Sequence, residues 1–315
     1  MTNCVLGIDT SCYTTSVALA GGGRVLASER KLLEVKTGER GLRQSDGMFQ
    51  HTVAIHANIQ RMMDQAPDAR IVAVCASTRP RDVDGSYMPV FLVGESVGRS
   101  VASLMGVPFF ETSHQKGHVR AAMVDSGLDK GPFIAMHLSG GTTETLLVDE
   151  KLNISLIGGS NDLHAGQFVD RVGVKLGLGF PAGPHMERLA VNGKAKSLFP
   201  LSHKDGHCSF SGAEAQAMRL IDRGDLTKED IAAEVYSYLS RAIAWLLNDA
   251  VQKSGVKRAL LAGGVASSVY LRTLLPARLK KLGCICDVHW AKPELSGDNA
   301  CGVALLGEEL FGGCK

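Results

Sequence analysis

The sequence predicts an α/β enzyme built from two similar lobes, and three observations lead there. A strand–turn–strand–turn–strand pattern at the N-terminus returns about 130 residues later. Turns of small residues follow apolar strands in both copies, and each copy runs on into helical sequence. The chain has 315 residues, 45% of them apolar, with 36 glycines, a composition that suits a compact, glycine-punctuated α/β protein with a large core.

In the first copy, residues 4–10 and 15–20 read as strands, Gly21-Gly22-Gly23 turns, and residues 24–30 form a third strand. The second copy is residues 133–138, a Ser-Gly-Gly-Thr-Thr turn at 139–143, then strands at 144–148 and 151–157. Such a duplication implies two lobes facing across a cleft, although two unrelated hairpins would give the same pattern. Between the copies the periodicity predicts a helix over 45–65, a strand at 71–76, a loop rich in Arg, Asp and Pro, a helix over 94–105, and a helix carrying two histidines. Beyond the second copy come helices near 168–177 and 184–191 and a polar loop at 203–211. A long amphipathic helix over 228–253 carries Ile231, Val235, Leu239, Ile243 and Leu246 on one stripe. A buried strand at 258–262, Gly263-Gly264, a helix from Ser267 and a last helix over 299–310 complete the chain. The expected lobes are residues 1–130 plus 298–315, and residues 131–297.

The net charge of +2 supplies no electrostatic footprint for nucleic acid, so an RNA ligand would need a partner or a local patch. The eight cysteines are scattered without a C-x-x-C pair, Cys314 among them, and read as free thiols in a reducing compartment. With no basic n-region before an apolar stretch and no long apolar run, the expected location is the cytoplasm, with no membrane role.

His114 and His118 are the most informative pair. On a helix, residues four apart share a face, so both imidazoles can reach one ion; a surface pair beside a helix start is the plainer alternative. The zinc-protease reading fails, because H-E-x-x-H needs a Glu next to the first His and position 115 is Gln. Asp298 either caps the last helix or completes a His-His-Asp set. Three glycine pairs, Gly140-Gly141, Gly158-Gly159 and Gly263-Gly264, follow apolar strands; two in equivalent places of a duplicated fold suggest a bound nucleotide, with free N–H groups after Gly264. Neither a Walker A sequence nor G-x-G-x-x-G occurs. Gly94-Glu95-Ser96-Val97-Gly98 matches a nucleophile elbow, which would make Ser96 a hydrolase nucleophile with a histidine such as His203; the alternative is a helix whose glycines pack on a strand.

Read in order, several strings resemble the TsaD family, the tRNA threonylcarbamoyladenosine synthase component. They are residues 7–12 (Gly-Ile-Asp-Thr-Ser-Cys), 97–100, 114–118, 138–142, 168–170, 176–184, 210–212, 262–266 and 297–300, spanning nearly the whole chain. The resemblance implies a two-lobed actin/hexokinase/sugar-kinase-like fold, a duplicated ribonuclease-H-like ATPase architecture. It implies one divalent metal, iron or zinc, on His114, His118 and Asp298, with His137 as a candidate fourth ligand. It further implies a nucleotide, ATP, ADP or threonylcarbamoyl-adenylate. His137, Leu138, Ser139, Gly140 and Gly141 would line its phosphate or acyl site, and Asp170, Gly183 and Glu187 would hold the adenosine, with Gly263, Gly264 and Ser268 nearby. The implied reaction moves a threonylcarbamoyl group to N6 of adenosine-37 in tRNA, with partner proteins of the same pathway.

The chain departs from the family pattern in places. Where the family has two acidic residues after Thr10-Ser11-Cys12, this chain has Tyr13 and Thr14, so its catalytic residues are open. A glycine-proline-glycine loop is replaced by residues 78–84, the family's Glu by Gln167, and its Asn by Ser267-Ser268. This fits a diverged paralog that keeps the transfer, uses another acceptor for a carbamoyl group, or serves a true synthase as a silent nucleotide- and metal-binding partner.

Overall fold

The computed structural model describes residues 1–35 and 42–313, so Cys314 and the end of the expected first lobe lie outside the described residues. The chain divides into two compact units, residues 1–124 with 297–315, and residues 125–296.

The first unit is a five-stranded sheet. Strands β1 (Thr2–Thr10), β2 (Thr14–Gly21) and β3 (Arg24–Leu32) form an antiparallel meander, and β4 (Ala69–Arg79) and β5 (Phe109–Ser113) add in parallel on the β1 side, giving the order β3-β2-β1-β4-β5. Along β1 the side chains alternate between faces. Cys4, Leu6 and Ile8 join Val17, Leu19 and Val74 in a core with α1 (Gln44–Gln65) and α2 (Phe91–Met105), whereas Val5 packs with Val303 on the other face. Helix α3 (His114–Met123) follows β5 without a linker, with the Ser113 side chain capping it by accepting from Lys116 N.

The second unit repeats the plan. Strands β6 (Phe133–Leu138), β7 (Thr143–Val148) and β8 (Ile154–Ser160) form the meander. After α4 (Ala165–Lys175), α5 (Gly183–Ala190) and a hairpin of β9 (Ser202–Lys204) and β10 (His207–Ser209) come α6 (Ser211–Arg223) and α7 (Lys228–Ser254). Strand β11 (Arg258–Ala262), α8 (Val269–Lys281) and β12 (Asp287–Trp290) follow, and α9 (Cys301–Gly313) belongs to the first unit. The order β12-β11-β6-β7-β8 mirrors β5-β4-β1-β2-β3, with β10-β9 added beyond β8. Ile134, Met136 and Leu138 of β6 pack with Ala259 and Leu261 of β11 against the helices.

The repeated meander expected from the sequence is present, and so are the helices flanking it. The polar loop expected at 203–211 is the β9-β10 hairpin, pinned to β8 through His207 opposite Gly159. The amphipathic stripe of α7 is only part of its buried surface: from Ile231 to Ser240 every residue is buried, Glu234 included, because helices and sheet surround it.

Candidate metal centre and nucleotide site

The candidate metal centre is assembled from two segments of the first unit. Helix α3 contributes His114 and His118 from adjacent turns, and Asp298 comes from the loop entering α9. His114 Nε2 and His118 Nε2 are 3.0 Å apart, and Asp298 Oδ1 lies 3.0 Å from His118 Nε2 and 3.7 Å from His114 Nε2. Ligand atoms held about 2.1 Å from one ion in tetrahedral or octahedral geometry sit roughly 3.0–3.4 Å from each other, so this donor set fits a divalent metal. The approach is possible because α3 and α9 cross with their backbones in contact. A Cβ on Gly302 would lie 1.9 Å from Gly117 O, so only glycine is tolerated there.

Behind these three side chains stands Asp9, fully buried at the end of β1. Its Oδ1 accepts from His114 Nδ1 at 2.9 Å and from the Ser77 hydroxyl. A carboxylate only accepts, so His114 Nδ1 carries hydrogen, and in the neutral ring Nε2 is the nitrogen that keeps a lone pair, on the side of His118 and Asp298. Asp9 Oδ2 is buried without a hydrogen-bond partner. Ser11 and Thr14 donate to Asp298 Oδ2 at 3.2 and 3.4 Å. Buried His51 on α1 fixes the turn holding them: its Nε2 donates to Ser11 O at 2.8 Å, so its Nδ1 accepts from the Thr15 hydroxyl at 2.7 Å. Burial lowers the His51 pKa against the pull of Ser11 O and Asp9.

The charges are strongly coupled. Burial works against a proton on His114, but the charge and hydrogen bond of Asp9, with the charge of Asp298, raise it to about 9. Burial likewise opposes charge on Asp298, yet the hydrogen bond and charge of His118 and the charge of His114 hold its carboxyl well below the usual carboxylate range.

In the second unit the predicted nucleotide residues fall into two groups. At the ends of the paired strands β6 and β11 are His137, Leu138 and the loop Ser139, Gly140, Gly141 beside Gly263 and Gly264. Gly263 has φ +101° and a Cβ there would meet Leu138 O at 2.4 Å. Gly140, Gly141 and Gly264 have nothing within 4 Å of a built Cβ, so the backbone at each is open on that side. The second group surrounds Tyr236 on α7, whose hydroxyl donates to Gly183 O at 3.3 Å. Asp170 Oδ1 accepts from Ala182 N at 2.8 Å, and Glu187 Oε1 accepts from Tyr270 N at 2.7 Å. Burial and the charges of Glu187 and Asp170 raise the Tyr236 phenol far above its ordinary value, with Ser268 opposing. Ser268 also caps α8 by accepting from Leu271 N.

A family model described as tRNA N6-adenosine threonylcarbamoyltransferase matches residues 45–305. The chain belongs to that family. Among solved structures, component A of (R)-2-hydroxyglutaryl-CoA dehydratase from Acidaminococcus fermentans is 16% identical over 99% of this chain and 100% of its own, with a TM-score of 0.55. HypF from T. kodakarensis is 15% identical over 99% of this chain and 48% of its own, with a TM-score of 0.66. A ROK family glucokinase from Streptomyces griseus, in complex with glucose and AMPPNP, is 14% identical over 97% and 99%, with a TM-score of 0.54. These likenesses establish the fold of the actin/hexokinase/sugar-kinase superfamily.

Several sequence readings change against the geometry. The G-x-S-x-G stretch is no nucleophile elbow, since Phe91–Met105 is one continuous helix and no strand runs into Ser96. Its glycines are packing positions: Cβ atoms on Gly94 and Gly98 would sit 2.8 Å from Thr10 Oγ1 and Phe109. Asp298 does not cap α9, because Asn299 Oδ1 accepts from Cys301 N instead. Gly158-Gly159 serves the sheet, where Cβ atoms would strike Gly206 O and Thr143 O. The helix start after Gly264 offers fewer free amides than its sequence implied, as Glu187 and Ser268 take those of Tyr270 and Leu271. Of the two positions where the resemblance leads one to expect acids, Thr14 is buried on Asp298 and Tyr13 is 47% exposed. Gln167, in place of Glu, closes the first turn of α4 by accepting from His164 N. The 78–84 loop is held to α3 by Lys116 on Asp82 at 2.8 Å. Asp9, Ser11 and His51 were missed as functional side chains; the Asp-Thr-Ser string at the end of β1 was the available signal.

Proposed function

We propose that this protein transfers a threonylcarbamoyl group from threonylcarbamoyl-adenylate to N6 of adenosine-37 in tRNA, aided by one divalent metal, iron or zinc. The observation that carries this reading is the convergence of His114 Nε2, His118 Nε2 and Asp298 Oδ1 in a chain of this family. When bound there, the metal would supply a Lewis acid for the carbonyl under attack. The chain's own residues prepare that position. Asp9 orients His114 through Nδ1, and Ser11 and Thr14 hold Asp298 through the oxygen turned away from the histidines. The open backbone at Gly140, Gly141 and Gly264 lets phosphates or the acyl group approach closely. Asp170 and Glu187 each have one oxygen committed to a backbone amide, leaving the other to accept from ribose hydroxyls. His137, on β6 in the second unit, would line the acyl group. The tRNA would be presented by partner proteins, because a net charge of +2 supplies little attraction of its own. Among the described residues no helix is long and apolar enough to cross a membrane, which suits a cytoplasmic role.

A second reading, a catalytically silent partner of a true synthase, is favoured by Tyr13 and Thr14 alone. Mass spectrometry of tRNA nucleosides from cells lacking only this protein separates the two. Loss of the modified adenosine that His114→Ala/His118→Ala cannot restore supports the transferase. Restoration by that variant supports a partner whose metal is dispensable.

A further inference from the structure

Arg241 on α7 and Arg278 on α8 lie close enough for their charges to oppose each other, and among the described residues neither has a carboxylate within ion-pair distance. The structure holds them in place. Arg241 Nη2 donates to Phe199 O at 2.7 Å, while Arg278 donates from Nε to Ser240 Oγ at 3.3 Å and from Nη2 to Ser237 Oγ at 3.2 Å. The nearby acid, Glu234, is fully buried and spends both oxygens on the amides of Lys196 and Leu198. Arg241 Nε is buried without a partner. Ser197 completes the cluster in the left-handed region at φ +59°, with its hydroxyl 3.5 Å from that of Ser237. A β-carbon-bearing residue there is strained by roughly 1 kcal/mol or more, a cost that tends to persist where a side chain must be aimed.

We propose that Arg241 and Arg278, with the hydroxyls of Ser197 and Ser237, form a binding site for a phosphate-class oxyanion. The bonds to Phe199 O, Ser240 and Ser237 fix the two guanidiniums and, among the described residues, leave the Nη1 groups of Arg241 and Arg278 without a protein acceptor, charged donors suited to a phosphate oxygen, with the hydroxyls alongside. An anion there would offset the repulsion between the arginines. Every residue of this site lies in the second unit, none is assigned to metal or nucleotide, and the inference stands apart from the proposed transfer.

The test is thermal unfolding of the full chain with inorganic phosphate against chloride at equal ionic strength. Phosphate at about 50 mM and a Kd near 1 mM should raise the Tm by about 3 °C or more. Arg278→Leu should abolish the phosphate-specific increment while melting no lower than the parent in chloride, since a like charge has gone. Should that variant fail to fold, Arg278→Lys keeps a charge but loses the fork and should at least halve the increment. A short oligoribonucleotide that cancels the increment by competition would place the phosphate on an RNA backbone; no competition would assign a small phosphorylated ligand. No phosphate-specific increment in the parent overturns the site. So does half-saturation only above about 30 mM, an adventitious ion only, or an undiminished increment in the Arg278 variants.

Discussion

Asp9 decides whether His114 can act as a ligand, although it reaches no ion itself. Replacing its carboxylate by the amide in Asp9→Asn leaves size and shape nearly unchanged, but the amide can turn an N–H toward His114 Nδ1 and favour the wrong tautomer. Zinc affinity measured by chelator competition is expected to fall about 10- to 100-fold, as losses of such outer partners do elsewhere. His114→Ala/His118→Ala should abolish stoichiometric metal in elemental analysis; metal retained by that variant would refute the assignment. The pH dependence follows from the same geometry. His114 is raised from 6.5 to about 9, so its protonated form stabilises the ion-free fold fully below 6.5 and less as pH rises through about 9. Metal must displace that proton, so zinc affinity should rise about tenfold per pH unit up to about 9 and then level off. A flat profile between pH 7 and 8.5 would show that His114 carries no proton to displace. The i,i+4 histidines were legible because helical spacing alone brings them together, whereas Asp298 was singled out only through the family resemblance, its loop alone leaving a helix cap equally open. Asp9 was not: an acid inside an apolar strand gives no sign of which partner turns toward it until β4 supplies Ser77 and α3 supplies His114.

At the scale of elements, the centre depends on two helices touching without side chains between them. A Cβ on Gly302 near the start of α9 would strike Gly117 O, and one on Gly7 of β1 would lie 2.5 Å from Ala304 N, so α9 is seated on both α3 and the sheet through glycine. Gly302→Ala is expected to destabilise the first unit by about 1–3 kcal/mol, the usual range for overpacking, and to lower metal content although it carries no ligand. Gly312→Ala, where a Cβ meets nothing within 4 Å, serves as the control and should change neither. A metal stoichiometry in Gly302→Ala equal to the parent's would show that the backbone crossing does not set the ligand distances. Strand alternation and turn glycines made the two meanders readable, since each strand buries a definite face. Helix α6 and strand β12 went unread for different reasons. Ser211–Arg223 follows a polar hairpin that masks its N-terminus, with no side chain capping it, and Asp287–Trp290 is four residues long, too short to show a period before β11 pairs with it.

For the whole molecule, the question is whether threonylcarbamoyl transfer proceeds with Tyr13 and Thr14 where the resemblance leads one to expect two acids. Position 14 is buried, and its hydroxyl helps hold Asp298, whereas position 13 faces outward at 47% exposure. The two substitutions are therefore not equivalent. A carboxylate at 14 would stand against Asp298 near the buried Asp9, so Thr14→Glu should lower the Tm of the metal-free protein and recover most of that loss when zinc is added. Tyr13→Asp sits where water screens it and should leave stability within about 0.5 kcal/mol. In an assay with threonylcarbamoyl-adenylate, tRNA and the pathway's partner proteins, the parent is expected to run about 10²–10⁴-fold slower than a family member bearing both acids, the range general acid–base help supplies. Asp170→Ala should weaken ADP at least tenfold by calorimetry, which checks the nucleotide residues independently of turnover. A faster reaction in the Tyr13→Asp/Thr14→Glu double variant would identify a synthase weakened by divergence. Absence of transfer in parent and variant, with metal and ADP still bound, would move the protein to the silent-partner reading. Full activity in the parent would instead mean that Asp9, Ser11 and Thr14, by fixing His114 and Asp298, are enough for transfer without the acidic pair.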